Sequence, residues 1–82
     1  MRHARGEDLD RIEDLLADLR RFPELRERKR GQFSMGSRAF LHFHEDAGDI
    51  YVDVRFDHDF QRLRVATPGE RATLLSRIQD AL

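Results

Sequence analysis

Two histidines, an aspartate and an arginine are the residues of this chain whose types and spacing can do chemistry. His42 and His44 stand one residue apart in Phe40-Leu41-His42-Phe43-His44, so on a β-strand both imidazoles leave the same face. Two imidazoles at that spacing can hold one divalent metal ion, and Asp53 or Glu45 can add a carboxylate oxygen. Asp53 beside His42 can also raise the imidazole pKa and orient the ring, as a general base requires. No serine, threonine or cysteine is placed as an evident nucleophile, since Ser34 and Ser37 fall in a turn region, and no catalytic residue is assigned. The plainer alternative is a structural cross-strand pair, with His42 bonded to Asp53, Arg64 flanking it and His44 near Tyr51.

The elements that must position these groups can be read from periodicity. Ile50, Val52, Val54 and Phe56 alternate with Tyr51, Asp53 and Arg55, and Ala39, Leu41 and Phe43 alternate with Phe40, His42 and His44. Glu45-Asp46-Ala47-Gly48-Asp49 supplies turn residues between the two runs. Leu41 and Phe43 must share a face with Ile50, Val52 and Val54, which fixes parity. A turn at Ala47-Gly48 then pairs Phe43 with Val52, Leu41 with Val54, His42 with Asp53, His44 with Tyr51 and Phe40 with Arg55. A fourth strand, 61–66, reached by a turn at His58-Asp59, sets Val54 opposite Leu63, Val52 opposite Val65 and Asp53 opposite Arg64. The row Arg64, Asp53, His42 thus crosses three strands on one face.

Residues 7–22 read as an amphipathic helix, with Leu9, Ile12, Leu15, Leu16, Leu19 and Phe22 on one side; Pro23 ends it near Arg21. Residues 24–30 read as a charged connector, and a short strand over 32–35 leads through Gly36-Ser37 into the central hairpin. Phe33 faces either Phe40's side or, with a bulge at Gly36, the core. Thr67-Pro68-Gly69-Glu70 combines a threonine cap, proline at the first helical position and glutamate three residues on. The helix it opens, 68–81, is expected to bury Ala72, Leu75, Ile78 and Leu82, with Leu74 at the margin. The fold expected is α+β: a four-stranded antiparallel β-meander with N- and C-terminal helices packed on one face, in the order α-β-β-β-β-α. All 82 residues make one domain, with 1–6 disordered.

Composition narrows the rest. Without cysteine there is neither a disulfide framework nor a thiolate metal site. No apolar run approaches the roughly 20 residues of a membrane span, and residues 1–8 lack the apolar segment of a secretory signal, so a cytoplasmic location is expected. The net charge is −1, where a nucleic-acid-binding domain carries a positive excess. The basic cluster Arg26, Arg28, Lys29 and Arg30 is interrupted by Glu27 and has no aromatic platform, so nucleic acid is not the expected partner.

Three functions follow in order. The first is a non-enzymatic binding or interaction domain that self-associates as a homodimer, or takes a protein or small ligand, through the open sheet face. That face carries Phe40, His42, His44, Tyr51, Asp53, Arg55 and Arg64, and its aromatic patch with Phe33 and Met35 would be unusual on a monomer. The second is a metal or acid–base site at His42, His44, Asp53 and Arg64. The third is nucleic-acid contact through Arg26 to Arg30. No cofactor is implied.

The run Arg38-Ala39-Phe40-Leu41-His42-Phe43-His44-Glu45-Asp46, followed by Gly48-Asp49-Ile50-Tyr51-Val52-Asp53-Val54-Arg55, resembles a group of short proteins from high-GC actinobacteria. More distantly, residues 31–82 are similar to the family called luciferase domain. There a Phe-x-His-x-His segment precedes a Gly-containing turn, a strand and a closing Pro-x-Glu helix, matched here by Phe40, His42, His44, Gly48, Pro68 and Glu70. The family's Gly-Trp segment before the last strand has no counterpart in this chain. The resemblance implies the sheet and closing helix; its label implies no light-producing activity.

Overall fold

The computed structural model describes residues 1–82 as a six-stranded antiparallel sheet with a layer of helices on one face. In chain order the elements are β1 (Arg2–His3), α1 (Gly6–Asp10), α2 (Glu13–Leu19), β2 (Arg26–Lys29), β3 (Gln32–Met35), β4 (Arg38–Asp46), β5 (Asp49–Val54), β6 (Gln61–Arg64) and α3 (Pro68–Ala81). The α+β class and antiparallel sheet agree with the pattern of the sequence, but the sheet has six strands rather than four. No helix is long and apolar enough to cross a membrane.

The central hairpin forms in the register that parity demands. Leu41 pairs with Val54, His42 with Asp53, Phe43 with Val52 and His44 with Tyr51. Ala47 (φ 51°) and Gly48 (φ 87°) make the two-residue turn, both in the left-handed region that this kind of hairpin needs. The carboxylate of Glu45 accepts the Gly48 N–H at 2.8 Å and lies 3.3 Å from Arg2 Nε. Glu45 is therefore a turn residue and does not join the histidines.

The apolar side chains of the sheet, Phe33, Leu41, Phe43, Ile50, Val52 and Val54, with Val65 just after β6, form one buried cluster with Leu9, Ile12, Leu15, Leu16, Leu19, Leu74 and Ile78 of the helical layer. Burial of this kind is worth about 1.5–3 kcal/mol per large side chain and is the main force holding the layers together. The capping box of α3 is made as expected: Thr67 Oγ1 accepts from the Glu70 N–H at 3.2 Å, and Glu70 Oε1 accepts from the Thr67 N–H at 3.0 Å. The helix is rotated by about one position from the expected orientation. Leu74 and Ile78 sit in the core, Leu75 and Leu82 are half-buried, and Ala72 faces solvent.

Five further corrections bear on the site. Residues 1–6, expected to be disordered, include β1: β3 covers only Arg38 to Leu41 of the nine-residue β4, and Arg2–His3 takes the free part of that edge, pairing with Glu45 and His44. The charged stretch after Pro23 is not a connector but the edge strand β2, a location that suits lysine and arginine because charge discourages further strand addition. The first helix is broken at Ile12 (φ −120°, ψ 24°), which leaves Leu9 free to pack under the β2–β3 turn.

The fourth correction concerns β6, which is displaced by two residues. Val52 pairs with Leu63, Asp53 with Arg62 and Tyr51 with Arg64, because the connection before β6 is a long loop and not a tight turn at His58-Asp59. The fifth concerns Phe40. Phe33 pairs with Leu41 while Ser34 pairs with Ala39, so Phe40 is the extra residue of a bulge in β4. Its ring is 3% exposed and meets Phe56 edge-on at 6.3 Å. Phe33 is likewise in the core, at 2%. The aromatic patch expected on the open face therefore loses Phe33 and Phe40.

Gly31, at the β2–β3 turn, has φ 79°, and a Cβ there would fall 2.7 Å from Leu9 Cδ2. Gly31→Ala is expected to destabilise the fold by about 1–3 kcal/mol, from left-handed strain together with displacement of a core leucine. Urea titration of the two proteins measures the difference.

Candidate metal centre

His42 and His44 project from β4 away from the helices, and Asp53 projects from β5 between them. All three are more enclosed than an open sheet face would suggest. The side chains are 27%, 10% and 13% exposed respectively. The cover comes chiefly from His3, Phe60 and Arg62, which the sequence did not single out. His3, on β1, places its ring 4.7 Å from that of His44 and 5.9 Å from that of His42. Phe60, in the β5–β6 loop, meets His42 edge-on at 5.2 Å and carries the Arg55 guanidinium over its ring at 4.7 Å. Arg62 donates through Nε and Nη2 to both oxygens of Asp53, at 2.7 and 2.9 Å.

The donor atoms converge on one oxygen. Asp53 Oδ2 lies 3.0 Å from His44 Nε2 and 3.5 Å from His42 Nε2. His44 Nε2 is fully buried and makes no hydrogen bond, its one close polar neighbour being the Asp53 carboxylate at that 3.0 Å contact. A buried polar nitrogen in that state carries an uncompensated desolvation cost. One ligand atom from each of His42, His44 and Asp53 lies within 4.8 Å of the others. Zinc ligands at 2.0–2.1 Å in a tetrahedron are separated by about 3.3 Å, which the two histidine-to-aspartate spacings bracket.

Protonation suits metal binding as well. Burial, aided by the neighbouring His44, holds His42 below the ordinary histidine value. The Arg62 hydrogen bonds hold Asp53 below the ordinary carboxylate value. A neutral imidazole and an ionised carboxylate are the forms that ligate.

The other candidates fall elsewhere. Arg64 is not beside Asp53: it bridges Asp49 at 3.3 Å and Glu70 at 3.1 Å, tying the sheet to the cap of α3. Tyr51 is half-buried between His44 and Arg64 in the ladder. Arg55 donates to the Ala39 carbonyl and lies against Phe60. Phe40, in the core, does not belong to this face. Ser34 is 6% exposed, and its hydroxyl accepts from Arg28 Nε at 3.0 Å, so it is engaged with a guanidinium and not with an imidazole base. Of the basic cluster, Arg30 is paired with Asp10 and Glu13, at 2.8 and 3.1 Å, while Glu27 is paired with Arg20 at 2.6 Å.

A cleft of about 440 Å³ adjoins the centre over the seam where β1 and β3 share the edge of β4; His3, Arg28, Ser34, Ser37 and His42 are among its lining. Compared with known protein families, with curated proteins and with solved structures, the chain matches none.

Proposed function

We propose that this domain binds a divalent metal ion through His42, His44 and Asp53, with zinc the ion best suited to the donor set. The buried, unpartnered Nε2 of His44 carries the reading, because a metal is what satisfies such a nitrogen beside a second imidazole and a carboxylate. Arg62 supports it by holding both oxygens of Asp53, of which Oδ2 also faces the two histidines, outer hydrogen bonds of the sort that orient ligating carboxylates. Three protein ligands leave a fourth position for water or a bound molecule, and the ring of His3 flanks the site 4.7 Å from that of His44.

Self-association through the same face has less to recommend it once Phe33 and Phe40 are in the core, since its aromatic residues there reduce to Tyr51 and Phe60. The plainer competitor is a structural cluster in which a small ring rotation lets His44 bond Asp53. Calorimetric titration separates the two. The metal reading predicts one zinc per chain with a Kd of about 1 μM or below, and the structural cluster predicts no saturable uptake.

A further inference from the structure

We infer that the cleft beside His42 is a binding site for a small molecule bearing an oxyanion, with Arg28 as its anchor. Arg28 is set for that role by its neighbours. Its Nε donates to the hydroxyl of the buried Ser34, 3.0 Å away, and that hydroxyl in turn approaches the Arg26 carbonyl at 3.5 Å. The contact fixes the plane of the guanidinium and leaves its two terminal nitrogens uncommitted. No carboxylate lies within ion-pair distance of Arg28, unlike Arg2, Arg20, Arg30, Arg62 and Arg64, each of which has at least one.

The lining of the cleft agrees with an anionic occupant. Among its nine residues there is no aspartate or glutamate, while Arg28, Gln32, Ser34, Ser37, His3 and His42 all offer polar atoms. A planar guanidinium with both terminal nitrogens free matches the two oxygens of a carboxylate or phosphate group. The volume, about 440 Å³, lies in the range of sites that hold a small organic molecule and exceeds what a bare ion needs. His42 belongs both to the cleft and to the candidate metal centre, so a molecule that is anchored on Arg28 and fills the cleft reaches a residue of that centre.

Titration of the metal-free protein with inorganic phosphate and, separately, with acetate tests the inference through backbone amide shifts. Saturating shifts at Ser34, Ser37 and Ala39 are expected with at least one of the two anions, and the tighter one identifies the class of oxyanion. Arg28→Gln should weaken that binding by at least about tenfold, the loss expected of a charged hydrogen-bond donor. Arg21→Gln, a change in the helical layer, should leave it unaltered. Absence of saturation with both anions, or equal affinity in Arg28→Gln and the parent protein, would overturn the inference. Zinc titration of the same samples reports on the metal reading separately: zinc uptake without Arg28-dependent anion binding removes the cleft alone, and the reverse pattern removes the metal alone.

Discussion

Replacing His44 by alanine is expected to lower zinc affinity by at least about 100-fold while the folded domain persists. Outer hydrogen-bond partners of metal ligands are commonly worth 10–100-fold in affinity, so a direct ligand exceeds about the upper end of that range. The domain should survive because the substitution deletes a buried nitrogen that has no hydrogen-bond partner and leaves the backbone pairing of β4 with β1 and β5 in place. Arg62→Ala belongs between the parent and His44→Ala, since it removes the group that orients Asp53 and not a donor to the metal. His58→Ala is the control, as an exposed histidine outside the cluster. Calorimetry on the four proteins checks the order, and equal losses in His44→Ala and His58→Ala would remove the site.

Phe40→Ala is expected to destabilise the domain by about 3–5 kcal/mol, the range for truncating a buried aromatic ring. A domain of 82 residues has about 4–12 kcal/mol in hand, so this one change consumes a large share of it. The expectation turns on the bulge. Without it, Phe40 would lie beside His42 on the outer face and its truncation would alter stability little. With it, the ring packs on Phe56 under the sheet at 3% exposure. Urea unfolding distinguishes the two: a shift of under about 1 kcal/mol, typical of surface positions, would place the ring outside and contradict the register of β3 on β4.

What the sequence made legible followed from local rules with one solution. The alternation of Leu41 and Phe43 against Ile50, Val52 and Val54 left a single parity, and Ala47-Gly48 fixed the turn, so the pairing of His42 with Asp53 could be read before any coordinates. The cap at Thr67 was equally local. Parity alone could not fix β6, because a slip of two residues keeps every side chain on its face. It exchanged Arg64 for Arg62 opposite Asp53, and only the length of the loop holding Phe56 and Phe60 decides between them. The bulge at Phe40 depends on how β3 docks, which no pattern within β4 discloses. His3 was invisible for another reason: a two-residue strand has no periodicity, and it forms because β3 leaves part of β4 uncovered. Arg28 was hidden in a charge run whose edge-strand pairing is set by Gly31 and the β2–β3 turn. The histidine pair and its carboxylate were thus legible, while their cover and the adjoining cleft depended on long-range pairing.

X-ray absorption at the zinc edge of the loaded protein bears most directly on the metal centre. Two imidazole nitrogens and one carboxylate oxygen at about 2.0–2.2 Å, in a four-coordinate shell, are the predicted result. A six-coordinate shell of oxygen alone, unchanged in His44→Ala, would contradict it.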